Sequence, residues 1–203
     1  MKIIAIGKNY VTDVREMPSE KVVPIIFTKA DTTLLEDNKD LVLPTFSREV
    51  WYEAELAFRI GKTCKNAELQ NALDFIDAVT LSNDLTAKDV LVASKALQGP
   101  WDLAKGFDGA TPIGFFYPIA DFADVDNINF SFEVNGVEVQ NGNSSHMITK
   151  LTDLLVYVSS IMTLNVGDII LTGTPPLGVG KVNSGDLMIG YLEGKKVLET
   201  KVV

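Results

Sequence analysis

The sequence predicts an α+β fold rich in β-structure, because strand-like segments occur in clusters and do not alternate regularly with helices. Short alternating or β-branched stretches dominate the first and last thirds of the chain, whereas helical spacing of apolar residues is confined to a few segments. We expect a single domain over residues 1–203, since the chain contains no repeat, no low-complexity run and no Ser/Gly linker.

The individual elements follow from local patterns. Predicted single strands cover residues 2–6, 24–29, 51–60, 79–83 and 168–172. Two hairpins are predicted over residues 127–140 and 186–203, with turns at Asn135-Gly136 and Glu193-Gly194. Asn-Gly favours a tight hairpin, because both central residues of such a turn need positive φ and Asn and Gly adopt it readily. Apolar residues at helical spacing predict helices over residues 67–76, 89–97 and 151–162.

The composition excludes some function classes. The chain has 18 basic and 27 acidic residues and a net charge of −9, which disfavours nucleic acid and anionic membrane surfaces as partners. Cys64 is the single cysteine, so no intramolecular disulfide can form, and we expect a cytoplasmic protein. No stretch reaches the roughly 18 apolar residues of a membrane span. An anionic substrate would therefore need local positive charge, most simply a bound metal cation.

The segment 51–60 is the most informative for chemistry. Its alternation places Glu53 and Glu55 on one strand face, with the apolar residues on the other. Their Cα atoms would lie about 6.5 Å apart, where two carboxylates repel each other unless a cation lies between them. An oxygen-only pair suits Mg²⁺, Mn²⁺ or Ca²⁺ better than Zn²⁺. A solvated strand face, with Arg59 screening Glu55, is the alternative interpretation.

A third metal ligand is expected at the end of another strand. Residues 79–83 change from apolar to polar, and Asp84 stands at the exit. Asp89 is better explained as a residue of a helix start. Asp84 is therefore the candidate ligand, with a turn or helix cap as the alternative role.

Two further segments suit an anionic ligand. Residues 171–180 combine a strand with a glycine-rich loop, but Val179 and Gly180 stand where a phosphate loop needs Lys and Ser/Thr. The loop could still bind a carboxylate through backbone N–H groups and hydroxyls, or could simply be a tight turn. Lys105 lies among aromatic and apolar residues, so it is either a surface lysine or a buried cation facing an anion.

These segments, taken in order, resemble the fumarylacetoacetate hydrolase family, and specifically its small single-domain branch of acylpyruvases and oxaloacetate decarboxylases. The resemblance spans nearly the whole chain. It is carried by residues 7–10, 24–29, 53–56, 83–89, 101–108, 134–136, 167–175 and 184–186. It implies layered, rolled mixed β-sheets and a homodimer. It also implies Mg²⁺ or Mn²⁺, with Ca²⁺ as a substitute, on Glu53, Glu55 and Asp84.

The resemblance also implies substrate contacts. Lys105 matches the lysine that faces the substrate's oxygens, and Thr174 matches the loop threonine near the substrate carboxylate. Gln98, Asn9 and Tyr10 are further candidates for substrate binding.

Two departures from the family pattern bear on catalysis. Hydrolytic and decarboxylating members often carry a histidine and a glutamate on a lid segment, and here Asp13 and Glu16 occupy those positions. Glu16 is the candidate base that activates water, and Asp13 could orient it. The loop from Thr174 to Gly180 is one residue longer than the family pattern.

The sequence therefore predicts a divalent-metal-dependent hydrolase or decarboxylase that cleaves a C–C bond in a small anionic 2-oxo acid or 1,3-diketo acid through an enolate. One alternative is an isomerase or tautomerase of a 2-hydroxy-dienoate or enol-oxaloacetate. Others are a metal-dependent 2-oxo-acid binder without turnover and a purely structural domain.

Overall fold

The computed structural model describes residues 1–36 and 38–203. Its strands are β1 Ile3–Gly7, β2 Ile25–Lys29, β3 Leu34–Leu35, β4 Val50–Tyr52, β5 Ala54–Ile60, β6 Ile76–Asn83, β7 Thr86–Ala87, β8 Thr111–Pro112, β9 Tyr117–Pro118, β10 Asn129–Val134, β11 Val137–Asn143, β12 Ile169–Leu171, β13 Gly180–Lys181, β14 Leu187–Leu192 and β15 Lys195–Lys201. The α-helices are α1 Lys88–Ala96, α2 Asp102–Lys105 and α3 Leu151–Ile161. Short 3-10 helices cover Val14–Glu16, Asp31–Thr33, Ala72–Phe75, Ile119–Asp121 and Ser144–His146. Within the described ranges, none of the helices is long and apolar enough to cross a membrane.

A six-stranded mixed sheet forms the centre of the fold, in the order β2-β1-β12-β5-β6-β9. Strands β1 and β12 run parallel, whereas β5 is antiparallel to both β12 and β6. An antiparallel four-stranded sheet, β11-β10-β14-β15, packs beside it, and smaller sheets join β13-β4-β7 and β3-β8. The predicted α+β, β-rich class with layered mixed sheets is confirmed.

Both faces of the six-stranded sheet are buried. On β1, Ile4 and Ile6 belong to the main core, whereas Ile3 and Ala5 belong to a second apolar cluster on the opposite face. Helix α3 covers the main core with its buried apolar residues. Mixed sheets covered on both faces need continuous apolar strands, which explains why 2–6 shows no alternation.

The two hairpins form at the predicted turns. Asn135 and Gly136 have φ of 53° and 77°, and Glu193 and Gly194 have φ of 47° and 72°. Positive φ at both central residues defines the turn whose twist matches that of the flanking strands.

Two predicted elements differ in the structure. The strand expected over 51–60 is interrupted at Glu53, because its N–H donates to the Asn83 side chain (2.7 Å) and not to a neighbouring strand. The helix expected over 67–76 is reduced to the 3-10 turn Ala72–Phe75, because Ile76 already belongs to strand β6. Pairing of β6 with β5 outweighs the local helical periodicity at this point.

A buried carboxylate joins β12 to the start of the chain. Asp168 accepts hydrogen bonds from the backbone N–H of Lys2 (2.7 Å) and of Asn165 (2.8 Å), and forms an ion pair with Lys2 Nζ. Burial acting alone would raise the pKa of Asp168, but these partners outweigh it and lower the pKa below its usual value. The ionised carboxylate therefore stabilises the fold.

We expect Asp168→Asn to lower the free energy of unfolding by about 1–3 kcal/mol at pH 7. An acid with a lowered folded-state pKa adds stability above its unfolded pKa of about 3.9 and loses it as the pH falls through the folded value. The difference between variant and wild type in urea unfolding should thus shrink as the pH falls from about 5 to about 2. A difference that stays constant over this range would contradict the assignment.

Candidate active site

A cleft of about 420 Å³ lies at one end of the strands of the central sheet. Leu171 of β12 pairs with Ala57 of β5, and Ala54 of β5 pairs with Asn83 of β6. The antiparallel register brings the C-terminal end of β12, the N-terminal end of β5 and the C-terminal end of β6 to the same end of the sheet. Residues just beyond these strand ends therefore line the cleft.

Three carboxylates converge in this cleft. Glu53 lies at the break between β4 and β5, Glu55 lies on β5, and Asp84 follows β6. One oxygen from each lies within 4.8 Å of the other two. The backbone fixes this arrangement, since Asp84 N–H donates to the Glu53 carbonyl (2.8 Å).

Two buried lysines neutralise part of this charge. Lys105, at the end of α2, donates to Glu53 (2.7 Å) and forms an ion pair with Asp84. Lys29, at the end of β2, donates to the other Asp84 oxygen (2.5 Å) and to the Ala110 carbonyl (2.7 Å). Burial would lower the pKa of Lys105, but Asp84 and Glu53 outweigh it and raise that pKa. Burial would likewise raise the pKa of Asp84, but the two lysines lower it.

Glu55 is left without a cation of its own. It is 3% exposed and accepts a hydrogen bond from Gly173 N–H (2.8 Å), and the described residues give it no ion pair. Burial first, then repulsion from Asp84 and Glu53, raises its pKa well above the usual value. A cluster of three oxygen donors with one carboxylate uncompensated fits a hard divalent cation such as Mg²⁺ or Mn²⁺.

Three more lysines line the cleft. Lys88 and Lys95 lie on α1. The Lys88 ammonium group lies 4.8 Å from the ring centre of Trp51, and the Lys95 ammonium group lies 4.8 Å from the ring centre of Trp101. Lys8 follows β1 in a left-handed backbone conformation, φ 56°. Partial burial, then the neighbouring cations Lys8 and Lys88, lower the pKa of Lys95. This local positive charge on an acidic protein suits an anionic ligand.

The predicted substrate-binding residues divide into two groups. Thr174 and Tyr10 line the cleft together with Lys105. Asn9 and Gln98 do not, which differs from the expectation. The buried side-chain amide of Asn9, just after β1, hydrogen-bonds to the backbone of Thr149 and Thr172. Gln98 is exposed in the turn after α1.

The predicted lid residues also lie away from the cleft lining. Asp13 caps the 3-10 turn Val14–Glu16 and pairs with Arg15 (2.5 Å), and Glu16 accepts hydrogen bonds from the N–H groups of Thr12 and Asp13. Both carboxylates are thus engaged in a capping box. A role in activating water stays a prediction that this arrangement does not favour.

Several charged residues of the cleft were not predicted from the sequence. Lys95 lies on the helix predicted over 89–97 and Lys88 directly precedes it, and a spacing of seven residues places both on one face of the observed helix. Lys29 follows Phe27 by two residues on a predicted strand, so both share a face, and Phe27 lines the cleft. These spacings could have identified the three lysines as candidate residues of the cleft.

Sequence comparison decides the family of the chain. A family model described as "Fumarylacetoacetate (FAA) hydrolase C-terminal" matches residues 2–203. The chain belongs to the fumarylacetoacetate hydrolase family. The resemblance drawn from the ordered motifs is thereby confirmed.

Members of the fumarylacetoacetate hydrolase family similar to this chain have several named activities. Oxaloacetate tautomerase YcgM of Escherichia coli is 36% identical, over 100% of this chain and 92% of that protein. The structure of 5-carboxymethyl-2-hydroxymuconate delta-isomerase from Mycobacterium smegmatis is 35% identical, with a TM-score of 0.91 over 100% of this chain and 78% of that one. Fumarylpyruvate hydrolase from Pseudomonas aeruginosa, solved in complex with Mn²⁺ and pyruvate, is 28% identical, with a TM-score of 0.90 over 100% and 89% of the two chains.

Proposed function

We propose that this protein is a divalent-metal-dependent enzyme that acts on a short 2-oxo dicarboxylic acid of the oxaloacetate type, either tautomerising it through its own enolate or decarboxylating its keto form to the enolate of the product. The observation that carries the proposal is the convergence of Glu53, Glu55 and Asp84 beside Lys105 in one cleft. Three carboxylates would hold the ion, and the remaining residues of the cleft would bind the substrate.

The chain's own groups have distinct tasks in this scheme. When bound, a divalent cation supplies Lewis-acid polarisation of the substrate's 2-oxo group. Lys105, kept protonated by its raised pKa, adds positive charge near the oxygen on which enolate charge develops. Thr174 would contact the adjacent carboxylate from the loop after β12.

The outer lysines suit a second carboxylate. Lys8, Lys88 and Lys95 line the same cleft as the acidic triad. A dicarboxylic substrate can place one end at the triad and its other carboxylate among these ammonium groups. A monocarboxylic 2-oxo acid would leave them without an anionic partner, so the cleft favours a dicarboxylate.

The two proposed outcomes need no attacking water. In tautomerisation a proton leaves the enol oxygen and a proton adds at C3, so no C–C bond breaks. In decarboxylation the C3–C4 bond breaks and C4 leaves as CO₂. The bonding electron pair forms the enolate of the product, which then takes a proton at C3. The engagement of Asp13 and Glu16 in the capping box supports these outcomes over hydrolysis.

The proposal is tested with oxaloacetate in chelator-treated buffer refilled with Mn²⁺ or Mg²⁺. Loss of the enol absorbance that requires both protein and metal, without pyruvate release, indicates tautomerisation, and pyruvate and CO₂ release that requires both indicates decarboxylation. No metal-dependent change in either signal, with fumarylpyruvate and other acylpyruvates also unchanged, would refute an enzyme of this class.

Hydrolysis of an acylpyruvate is the second candidate, favoured by the likeness to fumarylpyruvate hydrolase from Pseudomonas aeruginosa. It requires Glu16 to leave its capping hydrogen bonds and activate water. Acylpyruvate cleavage by the wild type that is lost in Glu16→Gln would favour this candidate over the first.

We expect Lys88→Met to raise KM for oxaloacetate about tenfold, because one charge-assisted hydrogen bond to the second carboxylate is lost. Binding of pyruvate, which lacks that carboxylate, should change less than about twofold. Steady-state kinetics with oxaloacetate and titration of pyruvate into Mn²⁺-loaded protein check these two expectations, with the exposed Lys62→Met as the matched charge control. Equal weakening of both ligands would argue against a second carboxylate at Lys88.

A further inference from the structure

A buried glutamine connects the acidic strand to the loop that carries Thr174. Gln140 on β11 is 2% exposed. Its Oε1 accepts from Ala54 N–H (2.9 Å), between Glu53 and Glu55, and its Nε2 donates to Thr174 Oγ1 (2.9 Å). Gln140 was not among the residues predicted from the sequence to lie at the site.

The partners of Gln140 determine the orientation of its amide. The Ala54 backbone N–H can only donate, so the group facing it must be the acceptor Oε1. The Nε2 group is thereby directed to the other side, where the Pro175 and Leu177 carbonyls (3.4 and 3.5 Å) also accept from it. A flipped amide would place two donors face to face at Ala54.

This orientation decides the role of the Thr174 hydroxyl. Because Nε2 can only donate, Thr174 Oγ1 must accept from Gln140. Its own proton is then available for another acceptor, and the described residues provide none. Thr174 lines the cleft that contains the acidic triad, so the free donor belongs to the wall of that cleft.

The backbone around the contact holds it in place. A β-bulge between Phe132 and Glu133 of β10 leaves Val139 of β11 unpaired beside Gln140. The loop packs closely on this bulge, because a Cβ on Gly178 (φ 82°) would lie 1.8 Å from the Val139 carbonyl oxygen. Only glycine allows this approach.

A second link closes the connection at the neighbouring residues. Gly173 N–H donates to Glu55 (2.8 Å), one residue from each end of the Gln140 bridge. Gly173 has φ 98°, and a Cβ there would lie 3.0 Å from the Ile6 carbonyl oxygen. Thr174 is thus tied to the acidic strand through both its backbone neighbour and its side chain.

We propose that Gln140 is a positioning residue that makes the Thr174 hydroxyl an obligatory hydrogen-bond donor to the carboxylate of the bound 2-oxo acid. This inference rests on the proposed function, which places that carboxylate at Thr174. It assigns to β11 a part in substrate selection, since the ligand group at this point must be an acceptor.

A double-mutant cycle on pyruvate binding to Mn²⁺-loaded protein tests the inference. We expect Gln140→Met to weaken pyruvate binding about tenfold when Thr174 is present, and less than about threefold in the Thr174→Val background. Loss of the Ala54 partner occurs in both backgrounds and therefore cancels in the comparison. In the Thr174→Ser background, which keeps a hydroxyl, the tenfold effect should return.

Gln140→Glu provides a second route through the same cycle, since it keeps an acceptor for Ala54 N–H. Coupling to Thr174 in either variant supports the positioning role. Equal fold-changes in the presence and absence of the Thr174 hydroxyl, for both variants, would overturn it while leaving the proposed function intact. Absence of metal-dependent pyruvate binding by the wild-type protein would overturn both.

Discussion

Removal of the Asp84 carboxylate, as in Asp84→Ala, should abolish metal-dependent turnover and also destabilise the protein. Asp84 pairs with both Lys29 and Lys105, which are nearly inaccessible to solvent, so its loss leaves two buried ammonium groups without this partner. Breaking a buried pair in this way costs about 3–5 kcal/mol. We expect a lower unfolding midpoint in urea, no Mn²⁺ signal in calorimetric titration, and no turnover of oxaloacetate.

Glu53→Gln separates the loss of function from the loss of stability. The Glu53 side chain is 16% exposed and pairs only with Lys105 among the described residues, so its neutralisation disturbs the fold less. The variant should unfold close to wild type but lose metal-dependent turnover. Glu49→Gln makes the same charge change at an exposed site nearby and should be silent. Full activity of Glu53→Gln or Asp84→Ala after chelation and refilling with Mg²⁺ would show that the triad is not the metal site.

Replacing Lys105 with methionine should produce the second large effect. The variant loses the ammonium group beside the developing enolate charge, and removal of one such electrostatic contact lowers kcat by about 10²–10³-fold. Mn²⁺ affinity should not fall, because the three carboxylates lose a competing cation. Steady-state turnover and calorimetric Mn²⁺ titration of the same protein check the two expectations together.

Metal should also rescue the stability of this variant. Without Lys105, Lys29 is the one cation among the described residues that still pairs with the triad, so we expect a lower Tm in chelator and a larger rise of Tm on adding Mn²⁺ than in wild type. Lys62→Met, a change of the same charge at an exposed residue, controls for the loss of a lysine. A decrease in Mn²⁺ affinity parallel to the decrease in kcat would contradict a direct role of Lys105 in charge stabilisation.

Local patterns predicted most elements of the fold correctly. The Asn135-Gly136 and Glu193-Gly194 turns and helix α3 depend on residues close together in the chain, so propensity and periodicity identify them. The predicted helix over 67–76 failed because Ile76 pairs with Ile60 of β5. Propensity carries no information about such pairing.

The side-chain alternation over 51–60 determined from the sequence that Glu53 and Glu55 share a face, and the ordered motifs determined the family. Only the tertiary structure decided that Asp84 meets them, that Lys29 and Gln140 support the cluster, and that Asp13 and Glu16 cap a turn outside the cleft lining. The physical reason is distance along the chain. Alternation is a property of neighbouring residues, whereas these contacts join segments that strand register and core packing bring together.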